Sequence, residues 1–357
     1  MIISRTPYRI SLFGGGTDYP NWYRRHGGAV IATSIDKYCY LTCRNLPPFF
    51  DHKYRVVWSK VEHALELKDI SHPAVRAVLS HLKITSGLEI HCIGDLPARS
   101  GMGSSSAFTV GLLHALHALQ GKMVSKHNLA LESIYVEQEL LKESVGSQDQ
   151  VSAAYGGFNH ITFQPNGEIQ VTPITIPSSR IEELNAHLML FYTGIKRTST
   201  GISETFVNKI DEKRRQLRIM KDLVDEGLAI LNSTQDIKLF GELFVEAWDA
   251  KRSLSKVVSN TDVDDIHSQA IGAGAIGGKL IGAGGGGFLL LFVPPELQLK
   301  VREKLSKFLH VPFKFDTSGS QIVFSGQERD YSSIERSRDF SSLEKFRELN
   351  PEESGHE

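Results

Sequence analysis

A loop rich in glycine and serine has the composition of a phosphate-binding loop. Residues 96–108 read Leu-Pro-Ala-Arg-Ser-Gly-Met-Gly-Ser-Ser-Ser-Ala-Phe, between an alternating apolar run at 88–92 and an apolar run at 107–119. These runs predict a strand before the loop and a helix after it. Small residues let the backbone approach an anion, and a helix N-terminus offers unpaired N–H groups. The predicted phosphate contacts are Ser100, Gly101, Met102, Gly103, Ser104, Ser105 and Ser106.

Other phosphate-binding motifs are either absent or lie beside the wrong secondary structure. No GxxxxGK[ST] sequence occurs, which excludes a P-loop. The spacing Gly282-x-Gly284-x-x-Gly287 formally matches a dinucleotide fingerprint, but that fingerprint needs a helix after the glycines. Here an apolar run at 289–293 predicts a strand instead. We therefore interpret Gly284, Gly285 and Gly286 as part of a supporting glycine loop that packs against another loop or a ligand.

An acidic residue interrupts an apolar helical face. The pattern predicts a helix from Ser125 to Lys142 in which Ala130, Ile134 and Leu141 share one face with Glu137. Glu137 should therefore point inward. A buried carboxylate needs a cation or a metal as its partner.

Three further polar residues could do chemistry, and each also has a structural interpretation. Asp18 follows a glycine turn at 13–17, where aspartate is often only a turn-former. Arg9 lies on the preceding predicted strand and could be an exposed strand residue. Asp149 could simply cap a short helix that begins beside it.

Composition indicates a soluble globular protein and excludes several classes. The 357 residues carry 40 basic and 41 acidic side chains, so bulk charge indicates neither a nucleic-acid nor a membrane partner. Three cysteines cannot form a disulfide framework, and neither a signal-peptide core nor an apolar run of about 18 residues is present. We expect a cytoplasmic protein, either a monomer or a homodimer. The predicted division is 1–178, 179–326 and a charged tail at 327–357.

Three segments, in order, resemble the motifs of the GHMP kinase family. They are residues 6–19, 96–107 and 279–288. The resemblance implies an α+β fold of two domains, an N-terminal one like domain 2 of ribosomal protein S5 and a ferredoxin-like C-terminal one. It also implies that ATP and a small-molecule acceptor meet in the cleft between them, with Mg²⁺.

The first motif is most similar to one subgroup of that family. Residues 14–18 read Gly-Gly-Gly-Thr-Asp, as in bacterial D-glycero-D-manno-heptose 7-phosphate kinases, and residues 27–38 and 191–195 are also like that subgroup. The resemblance implies phosphorylation of the anomeric hydroxyl to give a 1,7-bisphosphate, for nucleotide-activated heptose synthesis. The alternatives are a 1-kinase for a free sugar of the fucose or arabinose type and a non-catalytic sugar sensor.

The resemblance also assigns roles to single residues. It implies that Ser104, Ser105 and Glu137 hold Mg²⁺, that Asp149 meets the acceptor hydroxyl and that Arg9 lies beside Asp149 as the second catalytic residue. The implied acceptor contacts are Gly15, Gly16, Thr17, Asp18, Gly146, Asp149, Lys196 and Arg197. The last two, together with Lys251 and Arg252, are chosen for a phosphate on the acceptor because they are basic and lie in or beside second-domain segments expected to face the cleft.

Overall fold

The structure is a computed structural model that describes residues 1–195, 207, 210–327, 329, 331 and 333–334. Within these residues, two β-sheets and ten α-helices form two layered units that meet along one side. None of the described helices is both long and apolar enough to cross a bilayer.

Nine strands of the described chain form the first sheet. They are β1 (Ile2–Phe13), β2 (Gly28–Asn45), β3 (Tyr54–Val57), β4 (Val61–Ala64), β5 (Leu88–Gly94), β6 (Phe158–Phe163), β7 (Ile169–Pro173), β12 (Phe315–Asp316) and β13 (Gln321–Ser325). The strand order is β13-β1-β2-β5-β3-β4, while β6 and β12 also pair with β2, and β7 pairs with β6. Only the β3–β5 pair is parallel among these strands.

The second sheet has four strands within the described residues, in the order β11-β8-β10-β9. They are β8 (Leu188–Tyr192), β9 (Gly277–Leu280), β10 (Phe288–Phe292) and β11 (Leu309–His310). The helices are α1 (Pro20–His26), α2 (Pro73–His81), α3 (Ser104–Leu119), α4 (Lys126–Tyr135), α5 (Gln148–Tyr155), α6 (Ser178–His187), α7 (Arg214–Leu231), α8 (Lys238–Arg252), α9 (Thr261–Ala273) and α10 (Gln298–Lys304).

Helix α3 lies close against the first sheet and so fixes the loop that precedes it. The Ser4 hydroxyl on β1 donates to the Gly111 carbonyl at 2.8 Å. A Cβ at Gly111 would lie 2.8 Å from the Thr6 hydroxyl oxygen, closer than real Cβ contacts come. The absence of a side chain at Gly111 therefore lets the helix approach β1. The predicted strand before the 96–108 loop and the helix after it are both observed, as β5 and α3.

Aromatic side chains join the two units. The ring of Phe13, at the end of β1, meets Phe240 edge-on with centroids 4.9 Å apart and lies 5.1 Å from Phe244. Both partners lie on α8, and all three rings are buried. Large rings buried on both sides of the junction fix the units to each other, since such rings dominate the energy of an interface.

The predicted helix at 125–142 changes its geometry part of the way along. Ser125 caps α4 by accepting from the Asn128 N–H at 3.1 Å, and after Tyr135 the chain continues as a π-helical turn, Val136–Leu140. Glu137 lies in this turn and is fully buried, so the inward direction predicted from periodicity is observed. Such π-turns occur often at functional sites.

Two short strands near residues 313–324 lie in a different sheet from the one expected. The predicted division puts residues 179–326 in the second domain, but β12 pairs with β2 and β13 pairs with β1, in the register Ile2↔Ser325. The division at 1–178 and 179–326 therefore does not follow the sheets at this end of the chain. Period-2 alternation identifies a strand but not its partner. Most of the predicted tail at 327–357 lies outside the described residues.

Candidate functional site

A cavity of about 950 Å³ opens where the phosphate loop, the first glycine turn and the second unit meet. Its walls include most of the residues that the sequence analysis selected. Those residues are Arg9, Gly15, Gly16, Asp18, Gly101, Gly103, Ser104, Ser105, Ser106, Gly146 and Asp149.

A bidentate ion pair lies at the centre of this cavity. Arg9 Nε donates to Asp149 Oδ1 at 2.7 Å, and Arg9 Nη2 donates to Asp149 Oδ2 at 2.6 Å. The third Arg9 contact is Nη1 to the Gly101 carbonyl, at 2.8 Å. Arg9 is 4% exposed, whereas the Asp149 side chain is 28% exposed. Arg9 therefore ties Asp149 to the phosphate loop, and the carboxylate keeps an open side toward the cavity.

The phosphate loop turns through left-handed backbone into α3. Gly101 has φ 85°, and Gly103 has φ 74° at the N-cap of the helix. Since Gly103 has no side chain, the first N–H groups of α3 are left without a side-chain cap. The Ser104 hydroxyl accepts from the Arg99 N–H at 3.2 Å and so closes the turn. This arrangement presents backbone donors to an anion.

Two predicted phosphate contacts face inward instead. Met102 is fully buried, and its carbonyl accepts from the Arg9 N–H at 3.2 Å. The Ser100 hydroxyl donates to the Pro97 carbonyl at 2.6 Å. Neither residue lines the cavity, so both residues support the loop from its buried side.

The glycine loop of the second unit packs directly on the phosphate loop. A Cβ at Gly101 would overlap the Ile281 carbonyl, and a Cβ at Gly282 would lie 2.5 Å from the Gly101 Cα. A Cβ at Gly287 would overlap the Ser100 carbonyl. The close approach thus depends on backbone without side chains on both loops. The predicted supporting glycines, Gly284, Gly285 and Gly286, do not take part in this close contact between the two loops.

Those three glycines pack within the second unit. A Cβ at Gly284 would lie 2.8 Å from the Val258 carbonyl, and one at Gly286 would lie 2.7 Å from Ile195. The Gly285 N–H donates to the Val258 carbonyl at 2.5 Å. They hold the loop on its own unit while Gly282 and Gly287 face the phosphate loop.

Glu137 lies behind the start of α3 with one oxygen unpaired. Its Oε2 accepts from the Ser106 hydroxyl at 2.9 Å and from the Gln150 amide. Its Oε1 is buried and has no hydrogen-bond partner. Burial, with a smaller contribution from the Glu143 charge, raises the pKa of Glu137 to about 8. Such a carboxyl gains stability from any cation that can reach it.

The serine next to Glu137 is Ser106 and not either of the two predicted metal-binding serines. Ser104 is bonded to the Arg99 backbone, and Ser105 is exposed on the cavity wall. Consecutive positions on a helix point about 100° apart, so only one of three adjacent serines can face α4 and α5.

Asp18 is a fully buried carboxyl held by backbone donors. Its Oδ1 accepts from the Gly16 N–H at 2.9 Å and its Oδ2 from the Gln148 N–H at 3.2 Å. Burial, followed by the charge of Asp149, raises the pKa of Asp18 to about 6. A Cβ at Gly146 would overlap its carboxyl group, so Gly146 leaves room for Asp18.

The raised pKa of Asp18 predicts how stability changes with pH. Between the ordinary pKa of 3.8 and about 6, the folded chain keeps a proton on Asp18 that the unfolded chain has released. This group therefore lowers the free energy of unfolding as pH rises through that window, by at most about 1.4 kcal/mol per pH unit. Urea unfolding of wild type and Asp18→Asn at pH 4, 5, 6 and 7 measures the slope. The wild-type-minus-variant difference should fall with pH, and a constant difference would contradict the assignment.

One predicted acceptor contact, Thr17, does not line the cavity. Thr17 is fully buried, and its hydroxyl contacts the carbonyls of Gly14 and Ala29 at 2.8 and 2.9 Å. Its hydroxyl therefore holds the turn, while its neighbours Gly16 and Asp18 face the cavity. Lys196 and Arg197 lie outside the described residues.

The structure adds residues that the sequence analysis did not select. The rings of Trp58, His72 and Phe108 form an apolar wall, with His72 stacked on Phe108 at 4.6 Å and edge-on to Trp58 at 4.8 Å. Lys279 lines the cavity from the second unit, as does Lys251, which was already predicted from its charge. Trp58 follows β3, His72 caps α2 and Phe108 lies on α3, so no local pattern joins them. Lys279 is the first residue of the third motif, residues 279–288, and this position was the available signal.

Two family models match the chain. The model described as GHMP kinases N terminal domain matches residues 69–157, and the model described as GHMP kinases C terminal matches residues 222–311. The first range contains the phosphate loop, Glu137 and Asp149. The second contains the glycine loop.

Related proteins extend the match over most of the chain. A D-glycero-alpha-D-manno-heptose 7-phosphate kinase of Campylobacter jejuni is 29% identical over 318 residues, which cover 86% of this chain and 93% of that protein. A bifunctional fucokinase/GDP-fucose pyrophosphorylase of Arabidopsis thaliana is 25% identical over 329 residues, covering 84% of this chain and 31% of that protein.

A solved structure shares the fold. The crystal structure of a D-glycero-D-manno-heptose 1-phosphate kinase from Bacteroides thetaiotaomicron superimposes with a TM-score of 0.75 and 23% identity. The match covers 91% of this chain and 100% of the solved one. At this identity the likeness bears on the fold alone.

Proposed function

The chain belongs to the GHMP kinase family, and on that premise we propose that it phosphorylates the anomeric hydroxyl of D-glycero-D-manno-heptose 7-phosphate. Its α+β fold and its class, an ATP-dependent sugar kinase, are those expected from the motifs and are confirmed. The proposal adds the acceptor and the roles of the residues. It is supported above all by the Arg9–Asp149 pair, which lies between the phosphate loop and the Asp18 turn in one cavity.

In this proposal the phosphates of ATP bind at the loop and the acceptor binds at the Asp18 turn. The N–H groups at the start of α3 hold phosphate oxygens, and the aromatic wall of Trp58, His72 and Phe108 takes the base. Loops that already contact each other through Gly101 and Gly282 fix the distance between the two units. Phosphoryl transfer depends mostly on such positioning and on neutralised charge.

Asp149 accepts the proton of the acceptor hydroxyl. The oxygen of that hydroxyl attacks the γ-phosphorus, the bond from this phosphorus to the β–γ bridging oxygen breaks, and ADP leaves with the electron pair. An ionised carboxylate has about four lone-pair positions, of which Arg9 occupies two. A lone pair therefore remains for the substrate. Arg9 lies where it stabilises the charge on the transferring group.

Mg²⁺ is part of the proposal, and the residues present fit it. Glu137 Oε1 is a buried oxygen without a partner, and the Ser106 hydroxyl lies beside the carboxylate. No group of three His, Cys, Asp or Glu side chains within the described residues could hold a metal alone. Mg²⁺ is usually bound through one or two carboxylates plus phosphate oxygens and water, so Glu137 could serve as its protein carboxylate. When bound, the ion would neutralise charge on the β- and γ-phosphates.

The acceptor is tested by ADP release over a panel of sugars. We expect turnover with heptose 7-phosphate and a much lower kcat/KM with the free heptose, fucose, arabinose and galactose. Phosphorus NMR should show a second phosphate, on the anomeric carbon. The likeness to the Arabidopsis fucokinase supports one other candidate, a 1-kinase for free sugars of the fucose type. Preferred turnover of fucose would select that candidate and reject the heptose phosphate.

Gly146 offers a test of Asp18 as an acceptor contact. In Gly146→Ala the new methyl group would overlap the Asp18 carboxyl and displace it. Overpacking costs about 1–3 kcal/mol, so we expect KM for the acceptor to rise about 5- to 150-fold while KM for ATP stays nearly constant. Gly272→Ala is the matched control, because a Cβ there meets no atom within 4 Å. Steady-state kinetics with each substrate varied decide the matter, and an unchanged acceptor KM would remove Asp18 from the acceptor site.

A further inference from the structure

Lys279 carries a buried ammonium group at the junction of the two units. It lies on β9, directly before the glycine loop, and is 6% exposed. Its Nζ crosses the junction and donates to the Leu12 carbonyl on β1. The same Nζ lies 5.8 Å from the ring centre of Phe13 and 5.9 Å from that of Phe244. One side chain of the second unit thus holds the strand that bears Arg9.

This ammonium group lacks a counter-charge among the described residues, since no carboxylate forms an ion pair with it. A carbonyl and two aromatic faces stabilise a cation only in part. Burial of an unpaired charge is costly, so such a group is expected to face an anion that arrives with a ligand.

Basic groups approach Lys279 and its neighbours along the chain. The charge of Arg9, on β1, acts on Lys279 itself. From α8, the Lys251 ammonium donates to the carbonyls of Leu280 and Gly282 at 2.7 and 2.6 Å, and from α9 the ring Nε2 of His267 lies 3.1 Å from the Gly278 carbonyl.

The lining of the cavity as a whole carries more basic than acidic residues. The cationic residues that line it are Arg9, Lys60, Arg99, Lys251 and Lys279, and the acidic ones are Asp18, Glu143 and Asp149. Asp149 is already paired with Arg9.

We propose that Lys279 is a positioning residue for phosphoryl transfer, a second cation behind Arg9 whose charge stabilises the phosphate that the nucleotide brings. The inference rests on the proposed function for the transfer step but names a residue and a role outside it. Lys279 holds Leu12, and through β1 it holds Arg9. Its positive charge then adds to that of Arg9 and stabilises the negative charge on the phosphate of the nucleotide.

The charge of Lys279 is sensitive to pH and to ligands. Burial, with a smaller effect from Arg9, lowers the pKa of Lys279 to about 7. In the free protein the ammonium therefore loses its proton as pH rises through about 7. A bound triphosphate favours the charged form, so nucleotide binding above this pH should take up a proton.

The test compares Lys279→Arg and Lys279→Met with the wild type. The value of kcat/KM for ATP reports the free protein, and in the wild type it should decline above pH about 7. Lys279→Arg should lose that decline, because arginine stays charged. In Lys279→Met, kcat/KM for ATP should not change with pH and should be about 10²-fold below that of the wild type. This is the size of the effect of losing one preorganised donor. A purely structural role would lower activity in both variants without changing the shape of the profile.

Calorimetry without turnover gives a second measurement. A non-hydrolysable ATP analogue with Mg²⁺ is titrated at pH 8 in two buffers of different ionisation enthalpy, which counts protons taken up. Any proton that Glu137 releases when Mg²⁺ binds is common to the wild type and the variants. The wild type should therefore take up more protons per bound nucleotide than either Lys279 variant. Lys126→Met is the matched control, since the Lys126 ammonium also donates to a backbone carbonyl, that of Tyr155 at 2.7 Å, but away from the cavity. This control should behave as the wild type.

The outcomes separate this inference from the proposed function. A wild-type kcat/KM for ATP that shows no decline above pH 7 would overturn the role of Lys279, even if both variants fail to fold. A Lys279 effect seen only with a phosphorylated acceptor, and absent with a free sugar, would overturn the nucleotide phosphate as its partner. Proton uptake that depends on Lys279, together with no turnover of heptose 7-phosphate, would leave Lys279 in place and reject the proposed acceptor.

Discussion

Asp149→Asn is expected to lower kcat by about 10²–10⁴-fold and to leave the ATP dissociation constant nearly unchanged. Asparagine cannot take the proton of the acceptor hydroxyl, and it offers Arg9 one oxygen where the carboxylate offers two. The nucleotide contacts assigned to the loop do not include Asp149, so binding should survive. Single-turnover kinetics with saturating acceptor, together with calorimetric titration of a non-hydrolysable ATP analogue, measure the two quantities separately.

Asp211→Asn is the matched control for this change. Asp211 also pairs with an arginine, Arg25 at 2.9 Å, but both side chains are about half exposed and neither lines the cavity. Exposed ion pairs contribute about 0–1 kcal/mol, so this variant should turn over at the wild-type rate. Wild-type kcat in Asp149→Asn would remove Asp149 from the mechanism, whatever the control shows.

Gly101→Ala is expected to weaken ATP binding and to lower kcat/KM for ATP by about 10²-fold, the size of the effect of a misplacement of about 1 Å. Two physical costs act together at this position. The backbone φ of 85° is left-handed, and the added methyl group would overlap the Ile281 carbonyl. The phosphate loop must then move away from the glycine loop, and the Arg9 Nη1 bond to the Gly101 carbonyl is lost with it. Fluorescent-nucleotide titration and steady-state kinetics measure the effect.

Gly121→Ala separates the two costs. Gly121 has φ 70°, but a Cβ there meets no atom within 4 Å. The control variant should lose about 1–2 kcal/mol of stability from the left-handed backbone and keep wild-type affinity for ATP. If both variants bind ATP equally well, contact between the two loops is not needed for the nucleotide site.

The sequence could predict what local periodicity and local chemistry determine. The phosphate loop lies between a strand and a helix because the apolar runs on each side have different periods. Glu137 points inward because its position on the helical face requires it. The family, the fold and the kinase class follow from three ordered motifs and are confirmed by the family models.

Local periodicity could not predict features that depend on the rotation of a helix about its axis or on contacts between residues far apart in sequence. The three serines at 104–106 are equivalent in sequence, and the rotation of α3 decides that Ser106 meets Glu137. Thr17 and Asp18 are neighbours, yet only Asp18 reaches the cavity. The aromatic wall joins residues 58, 72 and 108, which no spacing relates. The roles assigned to Asp149, Arg9 and the remaining site residues stay predictions until the variants are measured.

The pairing of β12 and β13 with the first sheet has a consequence for the nascent chain. Strand β1 leaves the ribosome long before its partner β13, which is about 320 residues further along the chain. Until β13 emerges, one edge of β1 keeps its backbone donors and acceptors unpaired, and such an edge readily pairs with other strands. Synthesis therefore has a long interval in which the strand carrying Arg9 is vulnerable to misassembly. Contacts this distant in sequence also predict slow folding, because closing so large a loop costs entropy before the β1–β13 contacts can form.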